Sequence, residues 1–210
     1  NERGIDSHES GRITDALKDF DKAISINDEE PAYFFNRGNA KTDLSDYKGA
    51  IKDVSKAISL DSYSHIYFYA RGSLFSQLQK FKKAIEDYDI AISIDKKNPD
   101  YYWERGLTYF ELAESCSKSF DNFFWTYTSD FKFNNLEKSL SDLENAIRLV
   151  PLKRKNTYKD LFFNYESIFR YERDLKNWWR GTLITTIICL LSGPAFLFSL
   201  LICLFFQYIF

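Results

Sequence analysis

The chain has 210 residues and a net charge of only −2, and 45% of it is hydrophobic and 18% aromatic, which is ample for a packed core. Charge is unevenly placed: residues 1–150 carry 20 basic and 26 acidic side chains, residues 151–180 carry 8 and 4, and Gly181 to Phe210 carry none. A mildly acidic main body lacks the basic face that nucleic acid requires, and Cys116, Cys189 and Cys203 have neither a disulfide framework nor zinc-ligand spacing.

From its start the chain repeats itself every 34 residues. Arg-Gly stands at Arg3-Gly4, Arg37-Gly38, Arg71-Gly72 and Arg105-Gly106. Small residues follow in register, first Ala16, Ala50 and Ala84, then Ala23, Ala57 and Ala91. The first copy, residues 1–30, opens partway through its first helix, and the chain begins with Asn1 and contains no Met, so a truncated N-terminus is expected. The second and third copies, 31–64 and 65–98, each read as two helices. An aromatic triplet precedes Arg-Gly (Tyr33-Phe34-Phe35, Tyr67-Phe68-Tyr69), a break falls near Ser45-Asp46 or Gln79-Lys80, and a second helix follows. Its apolar residues, such as Phe81, Ala84, Ile85, Tyr88, Ala91 and Ile92, step by three and four onto one stripe. Turns rich in Asp, Asn and Pro separate the copies, with Pro31 and Pro99 suited to a first helical turn.

The fourth copy, 99–151, begins with Tyr101-Tyr102-Trp103 and carries about 21 extra residues, since Gly106 to Ser139 spans 33 positions where the others span 12. Seven aromatics crowd residues 120–133 of this insert, which occupies about 114–134. Two readings stand: it lengthens the fourth hairpin and packs on its own stack, or it exposes an apolar patch to a partner or membrane surface. Asp19, Asp53, Asp87 and Asp142 hold one matching place on the second helices, which predicts an Arg–Asp bridge across every hairpin.

These residues resemble the tetratricopeptide repeat family, in its variant with an Asn-Arg-Gly-like signature, over residues 1 to about 151. Gly38, Gly72, Gly106, Ala50, Ala84, Ala57, Ala91 and Pro151 fall where that family's pattern wants them. The resemblance implies an all-α fold, a right-handed α-solenoid of four helical hairpins whose first helices line a concave groove. Hairpins of this kind cannot bury their apolar faces alone, so copies must stack.

Residues 152–177 continue at helical spacing through Tyr158, Leu161, Phe162, Tyr165, Ile168, Phe169 and Leu175, which predicts a helix capping the end of the solenoid. Residues 178–210 read as a membrane segment, because a hydrocarbon core needs roughly 20 apolar residues. Trp178-Trp179 fall at its interface, and Lys153, Arg154, Lys155, Arg170, Arg173, Lys176 and Arg180 precede it. The positive-inside rule then puts the repeats on the cytoplasmic side of the membrane. Ser192-Gly193-Pro194 interrupts the run, so one kinked transmembrane helix and a helical hairpin both remain open.

No chemistry-bearing constellation emerges. His8 and His65 have no metal-like spacing, each Gly is isolated in a helix, Cys116 has no nameable base, and the abundant carboxylates fall on solvent faces of repeated helices. The expectation is no enzyme, no cofactor, no metal and no catalytic residue. The leading function is instead a membrane-anchored adaptor holding a protein or peptide in its groove. The resemblance implies groove positions at Phe35, Asn39, Thr42 and Asp43, at Tyr69, Ser73, Ser76 and Gln77, and at Trp103, Leu107, Phe110 and Glu111. Phe35, Tyr69 and Trp103 read either as binding anchors or as stiffeners of the stack. Asp43 and Glu111 favour a partly apolar, basic ligand. Some members of the family hold chaperone C-termini in a clamp of Lys, Arg and Asn. Here Asn39 is present, but Phe35 replaces the Lys and Trp103-Glu104 add no positive charge, so chaperone-tail capture is not expected. Two rivals stand beside the adaptor: an assembly subunit of a membrane complex whose tail is the working part, and a regulatory module of an enzyme whose catalytic domain lies elsewhere.

Overall fold

Eight helices succeed one another in the computed structural model, which describes residues 1–117 and 125–151: α1 (Glu2–Glu9), α2 (Ile13–Ile26), α3 (Pro31–Asp43), α4 (Tyr47–Leu60), α5 (His65–Gln77), α6 (Phe81–Ile94), α7 (Pro99–Ser117) and α8 (Trp125–Leu149). Among the described residues there is no strand. Each helix packs on the next, pairing as α1–α2, α3–α4, α5–α6 and α7–α8, and α5 also touches α7. All these residues lie in one unit, Asn1–Lys159.

The turns recur as faithfully as the helices. Gly11, Ser45 and Gln79, 34 residues apart, adopt the left-handed conformation with φ of 75°, 61° and 56°. The following amide reaches back to close each helix, Arg12 to Ser7, Asp46 to Lys41 and Lys80 to Phe75, at 2.8–2.9 Å. This is the hydrogen-bond pattern of a Schellman cap, in which Gly is the unstrained choice. The links between copies use another device. The side-chain oxygens of Asn27, Asp61 and Asp95 accept from the amides of Glu29, Tyr63 and Lys97 at 2.9–3.0 Å, a local turn that competes successfully with further helix.

Small residues set the distance between paired helices. Ala16, Ala50, Ala84, Ala57 and Ala91 are buried, and a methyl group on Gly72 would come within 2.8 Å of the Tyr88 ring. In the fourth hairpin Ser139 takes the place of the Ala, fully buried, and its hydroxyl donates to the Gly106 carbonyl at 2.6 Å. Hydrophobic residues then fill the seams, with Phe20, Val54, Tyr88 and Leu143 at one equivalent place, all essentially inaccessible.

The predicted Arg–Asp bridges are present in all four hairpins: Arg3 to Asp19, Arg37 to Asp53, Arg71 to Asp87 and Arg105 to Asp142, with Nε–O distances of 2.7–2.8 Å. The structure adds a second arm. Arg37 also donates to Asp21 at 2.7 Å and Arg105 to Asp89 at 2.5 Å, each on the preceding hairpin. At the middle junction Ser55 stands in that acidic place and accepts from Arg71 at 3.2 Å.

The insert lengthens both helices of the fourth pair. α7 runs on from Glu111 to Ser117, and α8 begins at Trp125, ahead of Leu136, the counterpart of Phe81. Lys132 on the α8 extension meets Glu114 on the α7 extension at 3.3 Å, and Lys138 lies over the Tyr109 ring. Phe133 is half-buried and Phe131 39% exposed. Residues 118–124, the expected capping helix 152–177 and the expected membrane segment 178–210 lie outside the described residues. Among the described residues no helix is long and apolar enough to cross a membrane.

Arg71→Ala leaves the 5%-exposed Asp87 carboxylate without its cation and is expected to cost about 3 kcal/mol. The double change Arg71→Leu/Asp87→Leu, which removes both charges, should cost far less; urea denaturation of the three chains measures this. Gln79→Gly, exposed and left-handed, should raise stability by about 0.5–1 kcal/mol, read as a higher thermal midpoint.

Candidate partner-binding groove

The first helices of the hairpins lie side by side, and their contacts can be followed from copy to copy. Between α1 and α3, His8 Nε2 meets Asp43 at 2.6 Å, and Asn36 donates to Asn1 at 3.1 Å. Between α3 and α5 the Phe35 and Tyr67 rings are 5.0 Å apart. Between α5 and α7, Tyr69 and Tyr101 rings are 4.9 Å apart, His65 Nδ1 meets the Tyr101 hydroxyl at 2.5 Å, and Ser76 approaches Thr108 at 3.4 Å.

Along this row the expected groove residues divide by exposure. Asp43, Gln77 and Glu111 are exposed, at one equivalent place in successive copies. Asn39, Ser73 and Leu107 are half-buried, as are Thr42, Ser76 and Phe110. The Thr42 hydroxyl is spent on the Gly38 carbonyl of its own helix at 2.9 Å. The three aromatics behave differently from one another. Phe35 packs on the cluster of Ala50, Val54 and Leu74, and Tyr69 on that of Phe68, Ala91, Ile92 and Tyr101. Trp103 is only 9% exposed, so its indole is built into the stack and offers little free area.

Register names two further residues on the same rows. His8 and Glu9 precede Thr42 and Asp43 by 34 positions and carry the rows into the first hairpin. Two others could not be read from the repeat. Glu104 occupies the place of Asn36 and Ala70 and is half-buried. Burial raises its pKa, and the charges of Asp100 and Glu111 push it the same way. Burial also raises the pKa of Glu111. Tyr88 replaces the Phe20, Val54 or Leu143 of the other copies. It is wholly inaccessible, and its hydroxyl has no hydrogen-bond partner. Among the described residues no group of three or more His, Cys, Asp or Glu could hold a metal ion.

A stack of helical hairpins joined by paired first helices defines a helical-repeat solenoid. Residues 31–63 match the family described as tetratricopeptide repeat, and residues 72–112 match the TPR repeat. The matched residues take in the second hairpin, most of the third and the start of the fourth. No curated protein matches the chain by sequence. Similar solved structures include the crystal structure of MamA, 17% identical with a TM-score of 0.61 over 81% of this chain and 88% of that one. MamA 41-end from Desulfovibrio magneticus RS-1 is 17% identical, with a TM-score of 0.59 over 84% and 92%. The first TPR of Spaghetti (RPAP3), bound to the HSP90 peptide SRMEEVD, is 23% identical, with a TM-score of 0.52 over 53% and 91%. These likenesses show the fold.

The raised Glu104 pKa has a definite sign. A carboxyl whose folded pKa exceeds the unfolded value of about 4.3 is penalised while ionised, so the penalty is complete above the folded pKa and absent below the unfolded one. Glu104→Gln is therefore expected to stabilise the chain at pH 7, with the gain over wild type disappearing by about pH 4; thermal denaturation of both chains across that range checks it.

Proposed function

We propose that this chain is a membrane-anchored adaptor that holds a protein or peptide partner along the first-helix face of its repeats. The observation that carries the reading is the continuity of that face. Asn39, Ser73 and Leu107 recur in register over three hairpins as half-buried positions, flanked by the exposed Asp43, Gln77 and Glu111. Such a surface suits an extended segment, since equivalent positions recur once per hairpin along the stack. The RPAP3 domain, of the same fold, is bound to a peptide. That peptide, SRMEEVD, is acidic, and here its carboxylates would face Asp43 and Glu111, so a chaperone tail is a poor ligand for this groove. The uncharged run of residues 181–210, preceded by Trp178-Trp179 and eight basic residues within 151–180, supports attachment to a membrane with the repeats on its cytoplasmic side.

The test uses the tagged full chain beside an Asn39→Trp/Ser73→Trp variant, which fills the groove without touching the Arg–Asp bridges. The wild type is expected to sediment with membranes and to retain a partner that the variant loses, both chains showing the same circular dichroism melt. Equal capture by the two chains would sink the groove reading, and a chain found wholly in the soluble fraction would sink the anchor.

A further inference from the structure

The acidic total of residues 1–150 conceals a basic surface on the second helices. On α4, Lys48, Lys52 and Lys56 step by four along one side, and all three are exposed. That side lies opposite the buried Ala50, Asp53 and Val54, which pack against Gly38 of α3. The same three places recur 34 residues earlier and later. Lys18 and Lys22 fill two of them on α2, and Lys82 fills one on α6, again exposed. Six of the nine equivalent places are therefore lysine, beside Thr14, Ile90 and a single carboxylate, Glu86. In the fourth hairpin these places hold Glu137, Ser141 and Asn145, so the array ends with α6.

Countercharge is scarce here. The one acid among residues 47–60 is Asp53, buried and held by Arg37 and Lys41. Lys18 meets Asp15 at 3.2 Å. Among the described residues Lys22, Lys48, Lys52, Lys56 and Lys82 form no salt bridge. The exposed Asp21 and Asp89 of the same helices are taken by Arg37 and Arg105. The first helices carry the opposite character, since Glu9, Asp43, Gln77 and Glu111 form a row without a cation. Charge is thus divided between the two sides of the hairpins.

We propose that the lysine array on α2, α4 and α6 docks on the anionic lipid headgroups of the membrane to which the chain is anchored. The inference rests on the anchor reading and names the surface that meets the leaflet. Each ammonium is attracted to an anionic leaflet within a Debye length, about 8 Å at physiological salt. The uncharged run after a basic segment supplies the proximity, which turns weak attraction into an intramolecular contact. Six lysines spread over three successive second helices suit a surface of many headgroups better than a single phosphate. None of the nine places holds the Arg fork that reads bases or a ring on which bases stack, so nucleic acid fits less well. Docked in this way, the first-helix row is turned away from the bilayer and stays open to a partner.

The experiment is lysine acetylation by acetic anhydride, read at each residue by mass spectrometry. It uses the full chain with vesicles of phosphatidylcholine alone or with phosphatidylserine added. Flotation of the same samples reports the anchor separately. The chain is expected to float with both vesicles. Lys48, Lys52 and Lys56 should react about fivefold more slowly in the anionic ones, an effect that high salt removes. Lys96 and Lys97, exposed in the turn after α6, should react alike in both. Lys48→Gln/Lys52→Gln/Lys56→Gln should still float with both and should abolish the slowing at Lys18, Lys22 and Lys82. Flotation with both vesicles and equal acetylation leaves the anchor standing and overturns the docking. Flotation with neither overturns both. Flotation with the anionic vesicles alone removes the anchor. If the triple variant then loses it the array stands, and if not, the basic residues of 151–180 bind instead and the array falls. If a Glu octapeptide or duplex DNA slows the six lysines more than phosphatidylserine does, the face fits an acidic protein or nucleic acid and lipid docking is overturned.

Discussion

Arg37 donates in two directions, to Asp53 within its own hairpin at 2.6 and 2.8 Å and to Asp21 of the preceding hairpin at 2.7 Å. Arg105 does the same with Asp142 and Asp89. A planar guanidinium with a fixed fork of donors can serve two carboxylates at once, which an ammonium on a flexible stem does less well. The inner Asp is buried in each case and the outer one exposed. The inner pair fixes the crossing of two helices and the outer pair fixes the step to the next hairpin. A buried ion pair adds little net stability, but it penalises any register in which the partner is missing.

That constraint works only because the helices are close. The buried Ala residues and the Gly that follows each Arg bring the paired backbones near enough for the Arg to reach, and the ring or branched side chain beneath each Gly fills the remaining space. Ser55 softens the ladder at the middle junction, where Arg71 finds a hydroxyl at 3.2 Å in place of a carboxylate. The Phe35 and Tyr67 rings, 5.0 Å apart, also cross this junction.

The row of first helices is a by-product of this architecture. Once the second helices carry the Asp partners, the first helices are left side by side, and their free positions recur once per hairpin. Glu104 shows what the arrangement tolerates. Its carboxyl sits in a partly desolvated place next to Asp100 and Glu111, which raises its pKa and costs stability.

Much of the scaffold was legible in the chain. The 34-residue period, the helical stripes and the repeated Arg and Asp named the hairpins and their inner bridges, because each copy solves the same packing problem with the same residues. The left-handed turns at Ser45 and Gln79 were visible only as breaks, since neither residue announces a positive φ as Gly11 does. The outer bridges to Asp21 and Asp89 escaped because they depend on how one copy sits on the next. Only the tertiary structure showed that Trp103 is built into the stack, that Glu104 is desolvated, and that the Tyr88 hydroxyl is buried without a partner. A period records what every copy shares. Burial and charge at a single residue depend on which neighbours stacking brings, and those differ at every junction.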